Sequence, residues 1–189
     1  MKIDPTVYDG RPADVTGRLP REIACYDLLD SLSIPYLRVD HEHADTIPDC
    51  KEVETYLGVR ICKNLMLCNR QKTDFYLLLM DGDKPFHTKD LSKQIGSSRL
   101  SFAPPEAMEE LLGVTPGSAT VLGLMNDKDH RVRLILDSSV LAQERFGCHP
   151  CINTSSLALS MADMREKLLP HLGVAPLLVD LPDDRDAES

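Results

Sequence analysis

ICKNLMLCNRQKTDFYLLLM, residues 61–80, carries the strongest strand signal in the chain. Two apolar runs, ICKNLMLCN and DFYLLLM, flank a polar turn at residues 70–73. Apolar runs of this length on either side of a short polar turn are typical of a β-hairpin. The sequence therefore predicts two paired strands in the middle of the domain.

Helical and strand-like patterns alternate along the rest of the chain without a regular βαβ spacing. Apolar residues at helical spacing, with proline or glycine near the ends, predict helices at 21–32, 51–57, 89–94, 104–112, 138–145 and 161–172. Short apolar or alternating runs predict further strands at 36–41, 100–102, 132–136, 148–152 and 157–159. This arrangement favours an α+β domain with a mixed, curved sheet over a doubly wound parallel sheet.

Length and composition indicate one domain with flanking segments. The 189 residues are 42% hydrophobic and 27% charged, which is ordinary for a globular chain. Residues 1–19 lack periodicity and predict a loosely packed lead-in, residues 20–172 form the domain, and residues 173–189 form an acidic C-terminal tail, disordered from Asp180. The chain has no apolar run of ~20 residues and no apolar signal core, so we expect a cytoplasmic protein without a membrane partner.

The charge distribution is uneven. The net charge of −9 argues against general binding to nucleic acids, DNA included. Residues 60–100, however, hold eight lysines and arginines against four aspartates, a local charge of +4. Such a segment could bind phosphates, or it could consist only of solvated charges on turns and helices.

The six cysteines suggest free thiols in a reducing compartment, several of them buried as small apolar side chains. Cys148 and Cys151 flank His149 and Pro150 in a spacing that resembles half of a zinc site. A second ligand pair is missing, so the sequence predicts neither a metal nor another cofactor.

Three features are candidates for chemistry. Lys63 interrupts an apolar strand beside Asn64, where it could bind phosphate or could protect a sheet edge from aggregation. His149 could act as an acid, a base or a positioning group, or it could be a core histidine bonded to the backbone. Residues 113–118, GVTPGS, could expose backbone N–H groups to an anion or oxyanion, or they could form an ordinary turn.

These motifs occur together in a recognisable order. The set comprises Lys63-Asn64-Leu65, Asp81-Gly82-Asp83-Lys84, residues 100–103, residues 113–118, residues 123–127, and His149-Pro150 with Asn153-Thr154. The set resembles the YbaK/prolyl-tRNA-synthetase-associated editing domain family, and within it the free-standing members that remove alanine from mischarged tRNA(Pro). The resemblance covers roughly residues 20–172. It implies a mixed sheet curled into a partial barrel with flanking helices.

The resemblance also implies an activity and its partners. Members of the family hydrolyse the ester between an amino acid and the terminal adenosine of tRNA, without a metal or a covalent side-chain nucleophile. The implied substrate is the acceptor end of mischarged tRNA(Pro), and prolyl-tRNA synthetase or an elongation factor would be a further partner. Water attacks the ester, and the ribose 2′-hydroxyl is thought to assist.

Site residues are carried over from the family by matching position. Lys63 would engage the tRNA end, the loop residues Gly113, Pro116, Gly117 and Ser118 would hold the aminoacyl group through backbone amides, and His149 would position it. The resemblance implies six further residues that line or support the pocket: His43, Ala44, Thr46, Asn64, Thr115 and Asn153.

Three other functions remain open from the sequence. One is deacylation of cysteinyl- or seryl-tRNA by the same domain. Another is a non-catalytic module that only binds tRNA or a synthetase. A third is a thiol enzyme that uses Cys148 or Cys151 as its nucleophile.

Overall fold

The computed structural model describes residues 1–44 and 47–183. The strands are β1 (Tyr8–Asp9), β2 (Leu37–Asp40), β3 (Lys63–Asn69), β4 (Phe75–Met80), β5 (Leu100–Phe102), β6 (Val132–Asp137), β7 (Arg145–Cys148), β8 (Ser155–Ser160) and β9 (Leu177–Val179). The helices are α1 (Pro20–Ser31), α2 (Ile47–Leu57), α3 (Thr88–Ile95), α4 (Pro105–Leu112), α5 (Ser138–Leu141), α6 (Met161–Asp163) and α7 (Leu169–Leu172). A 3₁₀ helix spans Val121–Asn126, and a π-helical turn, Met164–Leu168, joins α6 to α7.

The predicted hairpin lies inside a five-stranded sheet with the strand order β5-β3-β4-β6-β9. Strands β3 and β4 pair antiparallel from Lys63 opposite Met80 to Cys68 opposite Phe75. β6 joins β4 in parallel, and β9 joins β6 in parallel. All six residues of β4 are buried, because the strand has neighbours on both sides and both faces of the sheet are covered.

A second, antiparallel sheet has the order β1-β2-β8-β7. It meets the first sheet at a parallel bridge between Ile61 and Gly147, where the Gly147 amide donates to the Arg60 carbonyl at 2.7 Å. A Cβ atom on Gly147 would lie 2.8 Å from the Ile61 side chain, so this close approach requires glycine.

The mixed α+β class is confirmed, with two linked sheets where one curved sheet was expected. Closure into a partial barrel stays a prediction.

Two predicted elements around residue 145 are wrong. The helix expected at 138–145 ends at Leu141, and Arg145 begins strand β7 instead. The strand expected at 148–152 ends at Cys148, and the chain then runs irregularly to residue 154. Pairing of β7 with β8 decides the first case, and in the second Cys151 takes a left-handed φ of 59°, which no regular strand contains.

Strand pairing extends into both segments that the sequence analysis placed outside the domain. β1 pairs with β2 at one edge of the antiparallel sheet, and Arg18 forms an ion pair with Asp40 at 2.6 Å. β9 pairs with β6 at the other end of the chain, followed by the buried side chain of Leu181.

Two hydrophobic clusters cover the faces of the five-stranded sheet. The larger cluster packs β3, β4 and β6 against α1, α4 and the antiparallel sheet, with Tyr26, Leu112 and Phe146 fully buried. The smaller cluster packs the opposite face against Leu91 of α3 and Val179 of β9. Within the described ranges, no helix combines the length and apolar character needed to cross a bilayer.

Candidate functional site

A cavity of about 490 Å³ opens along the first half of β3. Strand β5 pairs with Leu67–Asn69 and the Ala103 amide donates to the Met66 carbonyl at 2.8 Å, so the edge of β3 from Lys63 to Leu65 is left for the cavity. Segments from both sheets and from the loop after α4 complete the wall. The lining residues are Ala44, Cys50, Lys51, Glu54, Ile61, Cys62, Lys63, Asn64, Leu65, Met66, Gly82, Asp83, Phe102, Ala103, Met108, Pro116, Gly117, Ala119 and His149.

The structure brings together about half of the site residues expected from the sequence. Those that line the cavity are Ala44, Lys63, Asn64, Pro116, Gly117 and His149. Those outside the lining are His43, Gly113, Thr115, Ser118 and Asn153. Thr46 lies outside the described residues.

Lys63 begins β3, and its ammonium is held at the cavity wall. Its Nζ donates to the Lys84 carbonyl at 2.6 Å. Lys84 in turn forms a buried ion pair with Asp137, with Nζ and Oδ2 2.9 Å apart and both side chains at most 5% exposed. The remaining oxygen of Asp137 accepts the Leu181 amide at 2.8 Å. A buried ion pair therefore anchors the carbonyl that positions Lys63.

Asn64 presents an unsatisfied acceptor. Its Nδ2 donates to the Cys62 carbonyl at 2.9 Å, while its buried Oδ1 has no hydrogen-bond partner among the described residues. A buried acceptor without a donor costs about 1–3 kcal/mol. A ligand with an N–H or O–H group would recover that free energy by bonding to Oδ1.

The loop after α4 offers fewer backbone amides than its sequence suggested. Gly113 ends α4 in the left-handed region at φ 64°, and its N–H donates to Glu109. The amide of Val114 donates to the Met108 carbonyl, that of Thr115 to the Ser118 hydroxyl, and that of Ser118 to the Thr115 carbonyl.

Gly117 supplies the loop amide that has no hydrogen bond among the described residues, since Pro116 lacks an N–H. Both residues line the cavity. The expected cradle of several amides thus reduces to one N–H at Gly117. Gly113 is a helix cap here, and the Ser118 side chain locks the turn by bonding to Thr115.

Asn153 links three segments of the wall without lining the cavity itself. Its side-chain amide accepts from the Ala44 N–H at 3.3 Å and donates to the Ala44 carbonyl at 3.2 Å. A Cβ atom on Gly117, whose φ is 87°, would lie 3.1 Å from Asn153 Nδ2. Asn153 therefore positions Ala44 and leaves room only for glycine at 117.

His149 is buried and neutral. Its Nδ1 lies 3.0 Å from the Ser155 carbonyl, which can only accept, so Nδ1 carries the proton. Burial lowers the pKa of His149 to about 4, against the small opposing effect of that backbone bond. The other ring nitrogen, Nε2, is then an unprotonated acceptor on a residue that lines the cavity.

A neutral hydrogen-bond chain continues behind His149. The Ser156 hydroxyl lies 3.4 Å from His149 Nδ1 and 2.9 Å from His41 Nε2. His41 donates from Nδ1 to the Glu42 carbonyl at 2.6 Å, so its Nε2 accepts from Ser156. Burial also lowers the pKa of His41. No local pattern in the sequence links His41 to Ser156, because only the pairing of β2 with β8 brings them together.

The two cysteines of the thiol hypothesis do not line the cavity. Cys148 is fully buried, and burial raises its pKa to about 12. Cys151 is also buried, with its Sγ 3.5 Å from that of Cys25. Cys50 and Cys62 do line the cavity, and burial raises the pKa of both thiols. Thiolates are the reactive form, so this environment disfavours a cysteine nucleophile.

In the described part of the chain, no three histidine, cysteine, aspartate or glutamate side chains are grouped to hold a metal ion.

Comparison with known proteins identifies the family. The model of the Aminoacyl-tRNA editing domain family matches residues 41–167. The chain is 30% identical over 145 residues to the prolyl-tRNA editing protein ProX of Acetoanaerobium sticklandii, covering 77% of this chain and 88% of that protein. It is 34% identical over 139 residues to the prolyl-tRNA synthetase associated domain-containing protein 1 of Mus musculus, covering 71% and 82% of the two chains.

A solved structure shares the fold. A crystal structure described as a candidate trans-editing enzyme for prolyl tRNA synthetase superposes with a TM-score of 0.64 at 18% identity, covering 86% of this chain and 97% of that one. The family model spans most of the chain and includes every residue of the cavity wall. The chain therefore belongs to the aminoacyl-tRNA editing domain family.

Proposed function

We propose that this protein is a trans-acting aminoacyl-tRNA deacylase that hydrolyses mischarged Ala-tRNA(Pro). The observation that carries the proposal is the set of polar groups at one small cavity: the Lys63 ammonium, the Gly117 amide, Asn64 Oδ1 and the neutral His149 ring. The name of the Acetoanaerobium sticklandii relative, prolyl-tRNA editing protein ProX, supports the same substrate class.

Each group matches one part of an aminoacyl ester. The Gly117 N–H faces the carbonyl oxygen, where negative charge develops as water adds to the ester carbon. Asn64 Oδ1 and His149 Nε2 are acceptors for the α-ammonium group of the amino acid. Lys63 pairs with the phosphate of the terminal nucleotide.

Hydrolysis then requires little further machinery. Water adds to the ester carbonyl, the bond to the ribose oxygen breaks, and the proton lost by the water ends on that oxygen. The products are free alanine and tRNA with an intact terminal adenosine. An ester is more reactive than an amide, so positioning and stabilisation of the oxyanion can supply much of the rate enhancement. The ribose 2′-hydroxyl lies next to the leaving oxygen and would assist this proton transfer.

We place the selectivity for alanine in the part of the cavity beside Gly117 and Ala119. A synthetase pocket for proline rejects the smaller alanine weakly, because one or two methylene groups are worth only ~1–3 kcal/mol. A second cavity that excludes the proline ring corrects this error. Gly117 and Ala119 bring the backbone of the loop close to the bound side chain, and Met66 and Met108 fill the apolar wall.

Release of labelled alanine from Ala-tRNA(Pro) tests the proposal. Purified protein should release alanine and leave Pro-tRNA(Pro) intact. The Lys63→Ala variant should lose at least ~100-fold in kcat/KM, an effect typical of a displaced charge contact at the substrate. Lys128→Ala removes an exposed lysine outside the cavity lining and is the matched control.

The other outcomes identify the alternatives. Faster release of the amino acid from Cys-tRNA(Pro) or Ser-tRNA(Pro) than from Ala-tRNA(Pro) would support deacylation but assign a different substrate. Tight binding of all these tRNAs without release of an amino acid would contradict the proposed deacylase activity. It would support a non-catalytic module that binds tRNA.

A further inference from the structure

Phe102 is an exposed aromatic residue at the rim of the cavity. Its side chain lines the cavity, yet the residue is 63% exposed at the end of β5. The ring of Phe86 meets it edge to face, with the centroids 6.4 Å apart at 61°. Phe86 itself packs against the smaller hydrophobic cluster. The Phe102 ring is therefore held in place while most of its surface faces solvent.

A basic cleft lies at the start of β5. Arg99 directly precedes β5, and together with Lys89, Thr88 and Ser92 of α3 it lines a second cleft. Neither Arg99 nor Lys89 forms an ion pair with any described residue. The buried Oγ of Ser92 also lacks a hydrogen-bond partner there. In a chain of net charge −9, two cations without acidic partners beside an unsatisfied hydroxyl fit an anionic ligand.

The cavity, the ring and the basic cleft lie in this order along β5. Ala103 and Phe102 line the cavity, and Arg99 lies three residues before Phe102, which separates their Cα atoms by about 10 Å along an extended chain. A single-stranded nucleic acid end has the matching order of groups, since a base has a π face and the backbone carries phosphates. Proteins bind such strands by combining aromatic stacking with cationic contacts to the backbone.

We propose that Phe102 stacks on the terminal base of the tRNA 3′ end while Arg99 and Lys89 bind a backbone phosphate beside it. The inference rests on the proposed function, because an aminoacyl ester in the cavity would place its own nucleotide at the rim. This site would bind the RNA independently of the amino acid attached.

The test uses an uncharged acceptor-stem minihelix with 2-aminopurine in place of the terminal adenine. The fluorescence of this base is quenched when it stacks on an aromatic ring, and fluorescence anisotropy reports binding. Wild-type protein should bind the minihelix and quench the probe. Phe102→Leu should weaken binding about 5- to 150-fold and remove the quench, whereas Phe102→Tyr should retain both.

Matched variants distinguish the effect of base stacking from the effect of removing any exposed apolar side chain or any surface charge. Leu178→Ala changes a residue that is 64% exposed on β9, and it should leave binding and quenching unchanged. Arg99→Gln should lower the slope of log affinity against log salt concentration by roughly 0.7, the value for one phosphate contact in a single strand. Lys128→Gln should leave the slope unchanged.

Three results would overturn the inference: no binding at low salt, binding without a change in fluorescence, or an unaltered quench in Phe102→Leu. Failure of the proposed function is a separate result. Normal binding and quenching by a protein that releases no amino acid would contradict the deacylase and support the nucleotide site.

Discussion

Two buried polar networks support the cavity, and they differ in charge. Behind Lys63, Lys84 and Asp137 form an ion pair at 2.9 Å that also involves the Leu181 amide. Behind His149, Ser156 and His41 form a chain of neutral hydrogen bonds. Burial is similar in both networks, so their different charge states come from the partners that each one offers.

The hydrogen-bond and ion-pair partners determine whether each buried side chain is charged, because burial by itself destabilises every charged form. In the first network the opposite charge and the donors around Asp137 offset the desolvation of both ions. In the second network His149 bonds to a carbonyl and a hydroxyl, neither of which compensates a positive ring. Its pKa therefore falls to about 4. The protein holds positive charge on one wall of the cavity and excludes it from the other.

Removing one partner of the ion pair should have the largest effect on stability. Asp137→Ala leaves the Lys84 ammonium buried without its counter-charge, and we expect a loss of about 3–5 kcal/mol in the free energy of unfolding. Urea denaturation followed by circular dichroism measures it. Lys84→Met should cost less, because Asp137 keeps the donors of Ser139 and Leu181. Equal losses in the two variants would contradict this account of the network.

The neutral network predicts how stability depends on pH. The pKa of His149 is about 4 in the folded protein and near 6.5 in the unfolded chain, so the unfolded chain binds the proton more readily. The contribution of the neutral ring is complete above pH 6.5 and is lost as the pH falls to about 4, by roughly 3 kcal/mol.

Chemical denaturation at a series of pH values, on wild type and His149→Gln, isolates this contribution. The difference in unfolding free energy between the two should shrink as the pH falls from 6.5 to 4. His171→Gln, at an exposed position of α7, should keep the wild-type profile. A constant difference between wild type and His149→Gln would show that the ring does not titrate as described.

A methyl group at Gly117 should disturb the cavity wall that the two networks support. Alanine at φ 87° is strained by about 1–2 kcal/mol, and its Cβ would press on the Asn153 side chain. We expect a modest loss of stability and at least a tenfold loss of kcat for alanine release. Gly173→Ala is the control, since it has a similar φ of 67° but lies outside the cavity lining. Equal activity losses in both variants would argue against a role for Gly117 at the ester.

The smallest effect is expected for the cysteines beside the neutral network. The Cys148→Ala/Cys151→Ala double variant should retain deacylation within about twofold per folded molecule, because both thiols are buried and neither lines the cavity. Alanine-release rates, normalised to the folded fraction, measure this. Complete loss of activity in a folded variant would restore the thiol hypothesis.

Local signals predicted much of the fold. The apolar runs around residues 70–73 predicted the β3–β4 hairpin, and Pro105 and Gly113 marked the ends of α4. The error near residue 145 had a different origin. Residues 145–148 form a strand only because β8 pairs with them, and this contact connects positions whose sequence shows no shared pattern.

At the candidate site, too, local sequence indicated some residues, whereas contacts between distant segments could not be predicted. The sequence pointed to Lys63, Gly117 and His149 as cavity residues, since a lysine in an apolar strand, a small-residue loop and a histidine are chemically distinctive. It could not predict that four amides of the Gly113–Ser118 loop bond within the protein, nor that Asn153 bonds to Ala44. Hydrogen bonds of this kind depend on backbone geometry and on segments far apart in the chain.

The sequence by itself determined the α+β class, the central hairpin and the residue types available for chemistry, because periodicity, turn residues and composition act locally. The tertiary structure decided the state of those residues. It left part of the β3 edge open to the cavity and placed a counter-charge beside Lys84. Among the described residues it placed none beside His149 and left Gly117 as the loop amide without a hydrogen bond. Charge state and hydrogen-bond availability depend on which distant groups pack together, and only the folded chain sets those contacts.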